Sequence, residues 1–141
     1  EDRGAGLGLA RYVRALSQNT HDRAWDGTLA VRCWRDLDNP TGAAMNLALR
    51  DQAILQLDTA VLRGMALVAR DRVLAMTSTC GAASLSAWTF VQTLGPALDR
   101  EAEVRDPVAA ATLRSELGRP DPAAVDSAAL LSALDALFAC P

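Results

Sequence analysis

A chain of 141 residues with half of them hydrophobic and a formal charge of −3 reads as one soluble domain with enough apolar material for a core. A net acidic chain with scattered arginines is a poor match to unspecific nucleic-acid binding, and no run reaches the ~18 apolar residues of a membrane span. Aromatics make up only 4 %, so the core must come from Leu, Val and Ala, and every one of the 14 basic residues is arginine.

Strand signals are almost absent and helix punctuation is abundant, so the predicted fold is all-α. It is a single domain, residues 1–141, of five to six helices bundled around a long, mostly apolar central helix over about 43–79. Residues 1–6, within which "GAGLG" begins at Gly4, read as a flexible lead-in, because no strand precedes the glycines to make a nucleotide-binding loop. Leu9, Tyr12, Val13 and Leu16 then form a first apolar stripe.

Thr20 is the expected cap of a second helix that runs to about Asp38. That stretch gathers His21, Trp25, Cys33 and Trp34. A Cys–His pair needs hydrogen-bond reach, yet His21 and Cys33 lie about 18 Å apart along such a helix and point about 120° apart. Trp25, Leu29, Cys33 and Leu37, flanked by Ala30 and Trp34, are expected to face the core. His21 falls on the polar side with Thr28, Arg32 and Arg35.

Asn39-Pro40-Thr41-Gly42 reads as a turn, with Thr41 capping the central helix. On a helical wheel Gln52, Gln56, Thr59, Arg63 and Arg70 make one narrow polar stripe, and apolar residues cover most of the rest. Such a helix is expected to touch neighbours on several sides. The stripe keeps its phase across Gly64, which favours one helix over two. A straight rod would be about 50–55 Å long, so a bend or break at Gly64 is a natural relief.

Asp51, Asp58 and Arg72 interrupt the apolar arc of that helix, beside Leu47, Ile54, Met65 and Met76. Buried charge must be paired or reach water. One reading pairs each with a neighbouring helix or opens that face to solvent. The other makes a polar ligand pocket, with Trp25, Trp34 and Trp88 as its apolar lining.

Gly81 is expected to end the long helix and Ser84 to cap the next, which Gly95-Pro96 stops. Residues 97–106 read as a connecting loop or short helix. Asp106-Pro107 and Asp121-Pro122 are helix starts, because Asp accepts from free N–H groups at the cap and Pro suits the first helical position. Leu130, Leu131, Leu134, Leu137 and Phe138 form the last apolar stripe. Ser115–Leu134 has helix-turn-helix spacing, but its second helix carries Asp126 and Asp135 and no Arg, which argues against DNA reading.

Cys33, Cys80 and Cys140 are far apart, and with one His no zinc set of usual spacing forms. They read as small buried hydrophobes, or as one disulfide with one thiol left over. Those three cysteines and a start at Glu1 leave an exported or surface location open. No serine elbow, phosphate loop, di-iron motif or other cofactor signature is present. The leading functional expectation is a non-enzymatic domain that recognises a protein partner, or a second copy of itself, through a helix face. A small-ligand sensor at Asp51, Asp58 and Arg72 follows, and an enzyme using those carboxylates ranks last.

Overall fold

The computed structural model describes residues 8–36 and 45–138. The fold is an all-α bundle, with no strand among the described residues. Its helices are α1 (Leu9–Leu16), α2 (Gln18–Asp36), α3 (Leu47–Ser78), α4 (Ala82–Leu94), α5 (Asp99–Arg105), α6 (Pro107–Leu117) and α7 (Ser127–Phe138). Short 3₁₀ turns at Gly95–Leu98 and Pro122–Ala124 precede α5 and α7. The lead-in at 1–6, the turn at Asn39–Gly42, the cap at Thr41 and Cys140 lie outside the described residues.

The chain divides into two compact units, Glu1–Gly64 and Met65–Pro141, so α3 supplies residues to both. No break occurs at Gly64, and α3 is continuous across it. In the first unit Gly64 is a socket instead: a Cβ there would come within 2.9 Å of Val13 Cγ2. Val13 is the residue that α1 buries.

Ser17, in an extended conformation, both ends α1 and starts α2. Its N–H donates to the Val13 carbonyl at 2.7 Å, and its Oγ accepts from the Thr20 N–H at 3.2 Å. Ser17, rather than Thr20, is therefore the cap. Thr20 is 4 % exposed and takes part in packing.

The face that α2 buries also differs from the wheel's apolar face. Thr20 and Gly27 are its buried residues, while Cys33 is exposed and Trp25, Leu29, Ala30 and Trp34 are half-buried. The His21 side chain is only 10 % exposed, with Nδ1 3.3 Å from Asp22 Oδ1, so it does not share the solvent face of Arg32 and Arg35. The reason is helix separation. At Gly27 a Cβ would sit 2.8 Å from the Leu57 Cα, so the two backbones approach where the side chain is absent. The buried face follows small residues and turns by about a third of a revolution from the one set by hydrophobicity.

At the other end of this contact, Asn46 caps α3. Its Oδ1 accepts from the Leu49 N–H at 3.1 Å, and its carbonyl accepts from Trp34 Nε1–H at 3.0 Å. The indole thus joins the last part of α2 to the first turn of α3.

The second unit is more densely filled. Val68 and Val73 from α3, Trp88 and Val91 from α4, Leu98, Leu113 from α6 and Leu130 from α7 are buried essentially completely. Trp88 Nε1–H donates to the Arg119 carbonyl at 3.0 Å, and Gln92 Nε2 donates to that carbonyl and to that of Leu117. These bonds hold the end of α6 against α4. Gly81 precedes α4 at φ +60, a conformation that favours glycine, and Ser84 does not cap the helix. The Ser84 hydroxyl donates to the Met76 carbonyl instead.

Asp106 caps α6 as its sequence predicts, accepting from the N–H groups of Val108 and Ala109. Asp106→Ala is expected to cost about 1 kcal/mol, with Asp106→Asn close to wild type. Urea unfolding checks this, and an equal loss in both variants would place the effect elsewhere. Asp121 caps only the Pro122–Ala124 turn, and α7 starts later, at Ser127, where Asp126 accepts from the Ala129 N–H. Buried Glu116 reaches across from α6 and accepts from the Asp126 N–H at 2.8 Å.

Candidate functional site

Three faces run along the part of α3 that belongs to the first unit. Ala53 and Ala60, each 5 % exposed, and Gly64 form the buried one, with Leu57 over Gly27. Small residues here allow the close approach to α2 and α1, which leaves the larger apolar residues outside.

Those larger residues make the second face. Leu47 is 55 % exposed, Ile54 39 % and Val61 41 %. Asp51 and Asp58 alternate with them, so the order is Leu47, Asp51, Ile54, Asp58, Val61. Alternating steps of four and three residues keep all five within an arc of about 80°. Leu55 borders the stripe and is 67 % exposed. The expectation that neighbours cover this arc is not met in the first unit, because the buried positions are taken by alanine and glycine.

This also locates the charges that interrupted the apolar arc. Asp51 and Asp58 are exposed. The Asp51 carboxylate is bound by Arg50 at 2.7 Å, and Arg50 lies 5.9 Å above the Trp34 ring. Asp58 makes no ion pair among the described residues. Arg72 belongs to the second unit, where its guanidinium lies 5.5 Å over the Phe90 ring. Trp25 and Trp34 are half-buried in the first unit and Trp88 is enclosed in the second. The six residues singled out in the sequence are therefore divided between the units, Asp51, Asp58, Trp25 and Trp34 in one, Arg72 and Trp88 in the other.

The third face is the polar stripe, and it has a role that the wheel did not reveal. Gln52, Gln56, Thr59 and Arg63 form one wall of a cleft of about 280 Å³, and Asn19 and Arg23 from the first turns of α2 form the other. Among the described residues that line it there is no Asp or Glu. The sequence signal was available in the Asn19/Arg23 pair at i, i+4, but only the packing of α2 on α3 sets it opposite the glutamines.

The thiols of Cys33 and Cys80 are both free and exposed, which corrects their reading as buried hydrophobes. Among the described residues no group of three or more His, Cys, Asp or Glu is placed to hold a metal ion. Among the same residues no helix is long and apolar enough to cross a membrane. No protein-family model, curated protein or solved structure matches this chain.

Proposed function

We propose that the first unit is a non-enzymatic docking module that receives a helix of a protein partner along the Leu47–Val61 stripe of α3. The observation that carries this reading is the row of exposed large apolar residues Leu47, Ile54 and Val61, seven residues apart on one face over about 21 Å of helix. Singly exposed apolar residues are ordinary, but an aligned set on one helix face is the form that helix recognition takes. Leu47, Ile54 and Val61 supply the apolar contact, and Leu55 widens it.

The test is binding of synthetic helical peptides that share apolar residues opposite Leu47, Ile54 and Val61 and differ only at the positions opposite Asp51 and Asp58. At least one is expected to bind the full chain, and Ile54→Asp and Leu47→Asp are each expected to abolish that binding with the circular dichroism spectrum unchanged. Binding by no peptide, or binding that both variants retain, overturns the reading.

A second reading is favoured by the cleft between α2 and α3. Every polar side chain among the described residues that line it carries a hydrogen-bond donor group, and two of these are guanidiniums, a lining suited to a small oxyanion. Inorganic phosphate or citrate is expected to raise the melting temperature beyond chloride at equal ionic strength, by mass action on the folded state. The rise should vanish in Arg23→Gln. No rise in the wild type rejects this second reading.

A further inference from the structure

We infer that the occupant of the α3 stripe is a helix of a different protein that carries Lys or Arg opposite Asp51 and Asp58, between apolar residues of its own. The inference rests on the docking reading above and adds the partner's chemistry.

The two carboxylates lie along one side of the Leu47, Ile54 and Val61 row, between it and exposed Leu55. Any helix laid along Leu47, Ile54 and Val61 takes water from Asp51 and Asp58. Desolvating a carboxylate without a partner is strongly unfavourable, so a purely apolar or acidic helix is rejected. A helix with basic residues at the matching positions restores the lost interactions, and the stripe then discriminates by charge while it binds by apolar contact. Asp58 should be the more discriminating of the two. Arg50 already binds Asp51 and is itself placed over Trp34, whereas Asp58 makes no ion pair among the described residues.

The same pattern argues against a second copy of this chain. The stripe contains no basic residue. Two copies paired in parallel and in register would set Asp51 against Asp51 and Asp58 against Asp58. Antiparallel pairing of the seams would set each carboxylate against a leucine, isoleucine or valine. Neither arrangement brings a cation from the stripe to Asp58. A phosphate-rich surface, whether nucleic acid or anionic lipid, would likewise meet two carboxylates.

The discriminating experiment compares three peptides with the same apolar residues opposite Leu47, Ile54 and Val61, and with Lys, Gln or Glu at the positions opposite Asp51 and Asp58, in fluorescence anisotropy with the full chain at low and high salt. The Lys peptide is expected to bind about tenfold or more tighter than the Gln peptide, and the Glu peptide weakest. Added salt should narrow that difference. Asp58→Asn should remove most of the Lys preference, and Asp58→Lys should transfer the preference to the Glu peptide. Asp58 is exposed, and circular dichroism verifies that the fold is kept.

If the Lys and Gln peptides bind equally, or if Asp58→Lys changes nothing, while Ile54→Asp still abolishes binding, the charge inference is overturned and the docking reading stands. If no peptide binds, or if binding ignores both Ile54→Asp and Leu47→Asp, both fall. Sedimentation equilibrium is expected to show a monomer. A dimer that Ile54→Asp dissociates would give the stripe to a second copy and overturn the inference.

Discussion

Replacing Gly27 with alanine is expected to destabilise the first unit by about 1–3 kcal/mol, the range for overpacking a close contact. The direction matters more than the size. In an exposed helix interior the same change would stabilise by about 1 kcal/mol, because alanine is the better helix former. At Gly27 the new methyl would lie 2.8 Å from the Leu57 Cα and 2.9 Å from its N. Those are backbone atoms in the middle of α3, so no rotamer change relieves the clash and α2 must move away. Leu57→Ala should therefore fail to rescue Gly27→Ala. Urea unfolding followed by circular dichroism measures both. Stability equal to or above wild type in Gly27→Ala would show that the helices do not approach at this residue.

A larger loss is expected in the second unit. Trp88 has no exposed surface, and Trp88→Ala should cost about 3–5 kcal/mol through lost apolar burial and the cavity left behind. Trp88→Phe separates the indole's two contributions. It keeps much of the ring volume and removes the Nε1–H donor to the Arg119 carbonyl. Gln92 Nε2 still donates to that carbonyl at 2.8 Å, so the acceptor is not abandoned, and a loss of about 1–2 kcal/mol is expected. Thermal unfolding followed by far-ultraviolet dichroism tests the pair. Similar losses for the alanine and phenylalanine variants would mean that the hydrogen bond, and not the packing of the ring, dominates at this position.

Both variants probe features that differ in how far they could be read from the sequence. Trp88 is a large apolar side chain in a short apolar helix, so its burial is an ordinary expectation, although the sequence equally offered it as the lining of a ligand pocket; the structure buries it with Ala87 and Val91. The importance of Gly27 has no such signal. A glycine in a helix carries no hydrophobicity, and the wheel gives it no weight. Trp25, Leu29 and Cys33 carry the weight instead, and they point the α2 face in a different direction from the one its packing adopts.

Capping divides in a similar way. Asp106-Pro107 starts a helix on sight, because the carboxylate and the proline satisfy local requirements that need no distant residue. Ser17 and Thr20 are both good caps, and local chemistry does not separate them. Burial does, since Thr20 is enclosed and Ser17 has the extended backbone of a cap. Asp121 and Asp126 pose the same choice five residues apart. Glu116, which accepts from the Asp126 N–H, fixes the later start of α7 from a different helix.

What the sequence by itself determined is the helical class, most helix boundaries to within a few residues, the continuity of α3 in phase, and the presence of Asp51 and Asp58 within an apolar arc. These follow from periodicity, propensity and capping, which act over one or two turns. Only the tertiary structure decided which arc of each helix is inside. In the first unit that choice follows the distance between helix axes, and close approach is set by Gly27, Ala53, Ala60 and Gly64, where side chains are smallest. The large apolar residues were thereby left outward with two carboxylates among them. A feature that reads along the chain as charge in a core becomes, once the helices pack, an exposed apolar stripe with a sign.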